Sequence, residues 1–352
     1  MEKRNFNNIE FLRIIGCIAI VWFHLTRVPI LYSIEIFKRF SYLANAGYTA
    51  VDLFFIISGV FFGFGLNKSS SIIQFLKKRL IRLYPVLVAV MLTGFIISFT
   101  KLFKFNIYKA VLTLFCLNGT SFMKDSTISD WATVDQFWYV SSLLWVSAFY
   151  FYLLKNFDKK VVNLIIALIV YFSYTFLIHP ISDNVYQIWY GGVLRALAGV
   201  GTGYFISELY KNYGEKISKI QLNVLSKILI SVIEFMCIFF TINNLSFHKL
   251  KFDNVFIYYF VFALLITLFI FKKGYISNML NIHIWTCFSK YTYSVYMAHC
   301  LCILTLCTIL SKYPSVITSY HYVFVPVILL ACILFGIILY HFIEQPFKKI
   351  LK

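Results

Sequence analysis

An arginine and a histidine, Arg13 and His24, bracket an otherwise apolar run, RIIGCIAIVWFH. On an α-helix the eleven steps between them return to nearly one face, offset by about 20° and separated by roughly 16 Å along the axis. One helix face therefore carries two polar stations. An imidazole can take a proton from a hydroxyl, and a guanidinium can hold an anion or steady developing negative charge. The plainer reading is a snorkelling arginine and a hydrogen-bonded packing histidine. What favours chemistry is the other polar groups set in apolar surroundings elsewhere in the chain.

A second apolar run, AGYTAVDLFFIISGVFFGFG, holds Asp52 and Ser58 among aromatic residues and glycines that permit close helix approach. Asp52 could orient and charge the His24 ring, or be a solvated acid at a helix start. In FLKKRLIRLYP, Arg79 and Arg82 stand three residues apart, on one helical face just before Pro85. Two guanidiniums suit phosphate oxygens, although basic residues beside a membrane often serve only topology or anionic lipid. Arg195, in GGVLRALAGVGTGY, lies deep in an apolar stretch among small residues, where a cation lines a cavity or pairs with an anion. Near the end come Tyr293, Tyr296 and His299 in SKYTYSVYMAHC, then His341 and Glu344 in HFIEQPFKK.

These residues sit in a chain that is 61% hydrophobic and 13% charged over 352 residues, too little charge to hydrate a soluble surface. Apolar runs of about 18 to 25 residues recur throughout, each able to cross about 30 Å of hydrocarbon. The expected fold is all-α: a polytopic membrane helix bundle forming one domain over residues 1–352. About ten spans are expected, near residues 8–29, 43–66, 83–100, 136–154, 161–178, 185–208, 222–242, 254–271, 284–310 and 322–343. A half-helix is expected at Tyr108 to Leu117. An even number of spans puts both termini on one side. The connections on that side carry about twice as many Lys and Arg residues as those opposite, which places both termini in the cytoplasm. The first run is too long for a cleaved signal peptide and carries Arg13, so it is expected to stay as an anchor.

The net charge of +18 is spread in short clusters between apolar runs rather than in one stripe, which argues against nucleic acid as a partner. The eight cysteines lie in or beside apolar runs, where free Cys behaves as a small hydrophobe. Cys300 and Cys302 hint at metal but lack an obvious further ligand set, so no metal is expected.

In order and spacing these segments resemble the acyltransferase 3 family of polytopic O-acyltransferases. NNIEFLRIIGCIAIVWFH is similar to the family's opening helix, SYLANAG to the segment after it, VDLFFIISGVFFG to its second helix, and FLKKRLIRLYP to its basic loop; SKYTYSVYMAH and FIEQP resemble its closing helices. The resemblance implies that Arg13 and His24 belong to an acyl-transfer site, and that Arg79 and Arg82 belong to an acyl-coenzyme A site. One departure stands out. Many members place a glutamate in the span that here reads FWYVSSLLWVSAFYFYLL, which contains no acid. The hydrolase-like extracytoplasmic domain of some members has no counterpart in this pattern, so a second transfer step would need another protein.

Together these readings give a mechanism. Acyl-coenzyme A, with acetyl the family's common acyl group, is held at Arg79 and Arg82 as a donor substrate; no permanently bound cofactor is expected. Its arm passes Arg13 and brings the thioester to His24, the general base for a hydroxyl of a saccharide or lipid-linked saccharide. Asp52, Ser58, Arg195, Tyr296, His299 and Glu344 are the supporting residues, with Arg195 as a candidate oxyanion donor. An acyl-histidine intermediate is the variant left open. The expected location is the bacterial inner membrane, surrounded by membrane lipid. The rival class is a transporter or exporter of a small anion or saccharide, which would also carry intramembrane charges but often shows repeated halves. A structural or sensory membrane protein is the third reading, and it would need no reactive histidine.

Overall fold

The structure, a computed structural model, describes residues 6–26, 47–102, 105–117, 135–178, 189–247 and 255–350. Among these every regular element is helical. In chain order they are α1 (Asn7–Thr26), a 3-10 turn (Gly47–Thr49) leading into α2 (Ala50–Gly65), α3 (Ile72–Ser98) and α4 (Ile107–Leu114). Next are α5 (Trp138–Asn156), α6 (Lys159–Ile178), α7 (Trp189–Lys219), α8 (Val224–Phe247) and α9 (Val255–Phe271). The chain closes with α10 (Tyr275–Met279), α11 (Ile284–Ser289), α12 (Thr292–Leu310), α13 (Pro314–Leu339), a π turn (Tyr340–Glu344) and α14 (Gln345–Lys349).

Seven stretches among the described residues are long and apolar enough to cross a membrane: α1, 47–68 around α2, α3, most of α6, 224–242 of α8, α12, and 323–349 at the end. The apolar helix α9 is shorter. The outermost surfaces fit lipid rather than water. Only 11% of the apolar stretch of α8 is buried, and its Val224, Leu225, Leu229 and Phe235 are exposed. Such a surface is stable only where the solvent is itself apolar.

Several expectations need correction. The third apolar run begins well before residue 83, because Ser71 caps α3 by accepting from the Gln74 amide and the helix runs on through Pro85. Proline forfeits one ladder bond there, which a helix packed among others tolerates. Arg79 and Arg82 therefore stand on one helix, as their three-residue interval predicts, and the segment that resembles the family's basic loop is helical throughout. The ninth run is two helices, α11 and α12, with Lys290 and Tyr291 between them. The tenth continues beyond residue 343 through the π turn, which directs Glu344 into the protein at 1% exposure. The short helix expected near Tyr108 is α4, capped by Asn106. Arg27, His179, His248, residues 41–46 and several loop lysines of the orientation argument, Lys38, Lys124 and Lys249 among them, lie outside the described residues.

The core gathers around α1, α2, α3, α5, α7 and α12, with Leu25, Phe55, Val86, Phe137, Tyr150, Tyr204 and Met297 almost fully buried. The tightest packing is α2 on α7. A β-carbon added to Gly59 would lie 2.3 Å from the Val200 carbonyl oxygen, and one on Gly203 would lie 2.0 Å from that of Ile56. Only glycine allows this approach, the usual device where two helices meet within a membrane. It brings Arg195 against Asp52.

Candidate active site

The face of α1 that carries Arg13 and His24 turns inward. Between them on the same stripe lie Cys17 and Ile20, both buried, and the Cys17 thiol points to the Thr292 carbonyl at the start of α12, 3.6 Å away. One turn farther in each direction the stripe reaches its two polar stations. Both are half-buried.

At the far station His24 meets α12. Its Nδ1 lies 3.0 Å from the Ile20 carbonyl oxygen and 3.4 Å from Nε2 of His299. A carbonyl oxygen only accepts, so Nδ1 is the protonated nitrogen of the neutral ring and the lone pair belongs to Nε2. The same logic orders His299, which is wholly buried: its Nδ1 donates to the Tyr296 carbonyl at 2.5 Å, leaving the Nε2 lone pair facing His24 and the Cys300 thiol at 3.2 Å. Each ring therefore offers the tautomer its neighbour requires. His24 is arranged as a base at Nε2, its Nδ1–H directed at acceptors that steady the imidazolium formed on proton uptake.

His24, His299 and Cys300 also set three metal-binding atoms within 4.8 Å of one another. The donor set suits zinc or copper, but His24 Nδ1 could ligate only by giving up its hydrogen bond to Ile20. The hydrogen-bonded pair is the arrangement that the local geometry satisfies.

At the near station Arg13 donates to Glu10 at 2.9 Å. Arg79 and Arg82 approach from α3, and Lys348 approaches from α14. Charge interactions link Arg82 with Arg13, Glu344, Tyr293 and Glu10, and Lys348 with Glu344, Arg82 and Arg13. Four cations thus share a region with two carboxylates. Arg82 is exposed and has no hydrogen-bond partner among the described residues, while Arg79 stacks on the Phe75 ring at 4.6 Å. An excess of guanidinium groups with open donors is what a polyphosphorylated ligand needs. Glu344 is held by the Ser294 hydroxyl and Lys348.

Tyr139 joins the two stations. It interacts with the charges of Arg13, Arg79 and Arg82, bonds Ser58 at 3.1 Å, and lies 5.7 Å from the Tyr296 ring. Tyr296 in turn lies 5.5 Å from the His299 ring and donates its hydroxyl to the Gln136 carbonyl at 2.8 Å. A line of polar side chains thus runs from the arginines to the imidazoles through an otherwise apolar interior.

One expected role changes. Asp52 does not partner His24: its carboxylate takes a two-point contact from Arg195, at 2.7 and 2.9 Å, and a hydrogen bond from the Tyr259 hydroxyl at 2.8 Å. Arg195 is correspondingly committed through Nε and one terminal nitrogen, with a further bond to the Tyr48 carbonyl at 2.9 Å. The small residues around it let α2 and α7 close, so the acid came within reach of the cation rather than of the histidine. His341 is exposed, near Tyr291 and Gln345.

Sequence reasoning missed Tyr139, Gln136 and Lys348. Tyr139 stands in a row of aromatic residues, and Lys348 reads as an orientation charge. Gln136 carried a usable signal, an amide at the edge of an apolar run, and its Nε2 donates to the Met297 carbonyl at 2.7 Å.

The fold defines the class, a multi-pass membrane protein with a polar line through its helix bundle. Comparison with known families identifies the chain further: the acyltransferase 3 family, described as an acyltransferase domain, matches residues 6–342, so the protein belongs to that family and is a membrane acyltransferase. Neither the curated proteins nor the solved structures gave a match.

Proposed function

We propose that this protein is an O-acyltransferase that moves an acyl group, acetyl foremost, from cytoplasmic acyl-coenzyme A to a hydroxyl of a cell-envelope saccharide or lipid-linked sugar. In this reading the chain forms one domain of ten spans in a bacterial inner membrane, with both termini in the cytoplasm. The observation that carries it is the pairing, on one inward face of α1, of a base-ready His24 with Arg13 beside Arg79 and Arg82.

Arg79, Arg82 and Lys348 hold the donor's phosphates, and Arg13, already paired with Glu10, adds charge where the arm enters. The arm follows the line past Tyr139 and Tyr296, bringing the thioester beside His24. Nε2 of His24 takes the proton of the acceptor hydroxyl as its oxygen attacks the thioester carbonyl. The tetrahedral intermediate then expels the sulfur, which leaves as the free thiol by recovering that proton from the imidazolium. His299 holds His24 at Nδ1 throughout, as a positioning residue.

The test is mass spectrometry of envelope saccharides from cells with and without the chain, alongside labelled acyl transfer in membranes. A mass difference of one acyl group that needs His24 supports the reading. Unchanged saccharides together with no transfer of label would sink it and favour an exporter.

A further inference from the structure

At one end of the bundle, away from the imidazoles, α7, α8 and α9 come together around a recess of about 390 Å³, lined among others by Ser218, Gln221, Lys227, Lys272, Lys273 and Asn278. Three lysines line it and no carboxylate does. We propose that this recess binds the phosphate of an anionic membrane lipid.

The walls are built rather than incidental. Lys273 donates to the carbonyls of Ser218 at 3.0 Å and Ile220 at 2.8 Å, and Asn278 donates to those of Lys272 and Gly274 at 2.8 and 2.7 Å. The carbonyls at the ends of α7 and α9 are thereby satisfied, and their partial negative charge is masked. The Lys272 ammonium lies 5.2 Å from the Phe6 ring centroid, and burial pushes it below its ordinary value. Lys227, in the first turn of α8, has no hydrogen-bond partner for its ammonium among the described residues.

The position of the recess selects a lipid over a soluble anion. The outer face of α8 is apolar from its first residue, with Val224 and Leu225 each 65% exposed and Leu229 56% exposed. A phosphate seated by Lys227 would have acyl chains beside it along that face, as expected where lysines meet the boundary of the hydrocarbon. Arg13, Arg79, Arg82 and Lys348 do not line the recess, so the proposal stands independently of the acyl-transfer reading.

The experiment is native mass spectrometry of the full chain released from bilayers containing phosphatidylglycerol or phosphatidylcholine, with Lys227→Gln and Lys227→Arg as variants. The wild type should retain one phosphatidylglycerol in preference to phosphatidylcholine. Lys227→Gln should weaken retention about fivefold, the factor matching roughly one lysine at a membrane surface, and Lys227→Arg should keep it. Equal retention of the two lipids, or equal retention by Lys227→Gln, overturns the proposal. Displacement of the lipid by inorganic phosphate at matched concentration also overturns it, by assigning the recess to a soluble anion.

Discussion

Nδ1 of His24 and Nε2 of His299 stand 3.4 Å apart although 275 residues separate them in the chain. The packing of α1 on α12 creates this contact, and two backbone carbonyls, of Ile20 and Tyr296, decide which nitrogens carry hydrogen. Two protonated imidazoles this close would repel in a poorly screened interior, so the pair takes up at most one proton easily. That suits a cycle in which one proton is borrowed and returned.

Replacing His24 with Ala should lower acyl transfer by about 100- to 10,000-fold, the usual worth of a positioned base. Donor binding should change little, because the arginines lie at the other end of α1. Labelled acyl transfer and donor binding, both measured in membranes with the insertion of the variant verified, make the test. Transfer at the wild-type rate would remove His24 from the chemistry.

His299→Ala should lower kcat by about 10- to 100-fold with KM for the donor nearly unchanged, since it removes an acceptor from a ring that becomes charged. His299→Gln keeps an oxygen able to accept from His24 and should recover part of the loss. If the two variants are equally impaired, His299 serves packing alone.

Much of this was legible in the sequence, and the limits have physical causes. The spacing of Arg13 and His24 predicts a shared face, because helical geometry is local and the run contains no breaker. Arg79 and Arg82 were recognisable as a pair from their three-residue interval. The partner of Asp52 was not, because the choice between His24 and Arg195 depends on how closely α2 approaches α7, which the glycines permit without specifying what they bring together. Tyr139 was illegible for another reason: in a chain with 25 tyrosines, the one that joins two polar stations is marked only by its neighbours in space.

Arg82→Ala should weaken binding of labelled acyl-coenzyme A by about 10- to 100-fold, the range for one charge-assisted hydrogen bond to phosphate. Arg82→Lys keeps the charge but loses the planar fork, so it should fall between the two. Arg79→Ala should act in the same direction, and the double variant should be weaker than either. Binding that is indifferent to all of these would show that the phosphates lie elsewhere.

The Asp52–Arg195 pair is predicted to support the site from outside it. The side chain of Asp52 is 3% exposed and that of Arg195 17%, and with Tyr259 they tie α2, α7 and α9 together. Arg195 also holds the Tyr48 carbonyl, and the Tyr48 ring lies 5.6 Å from Phe23, whose ring in turn lies 5.2 Å from His24. Asp52→Ala would strand a buried guanidinium, a change worth about 3 to 5 kcal/mol, so the thermal midpoint of the purified protein should drop sharply and transfer should drop with it. Replacing both partners, as Asp52→Leu with Arg195→Met, removes the stranded charge and should recover much of the midpoint, because an apolar pair of similar volume can replace a buried ion pair at little cost. Recovery of stability without recovery of kcat would mean that the pair also sets the position of His24 through Tyr48 and Phe23. A double variant no more stable than Asp52→Ala would show instead that the geometry of the ion pair, rather than the neutralisation of Arg195, holds the three helices in place.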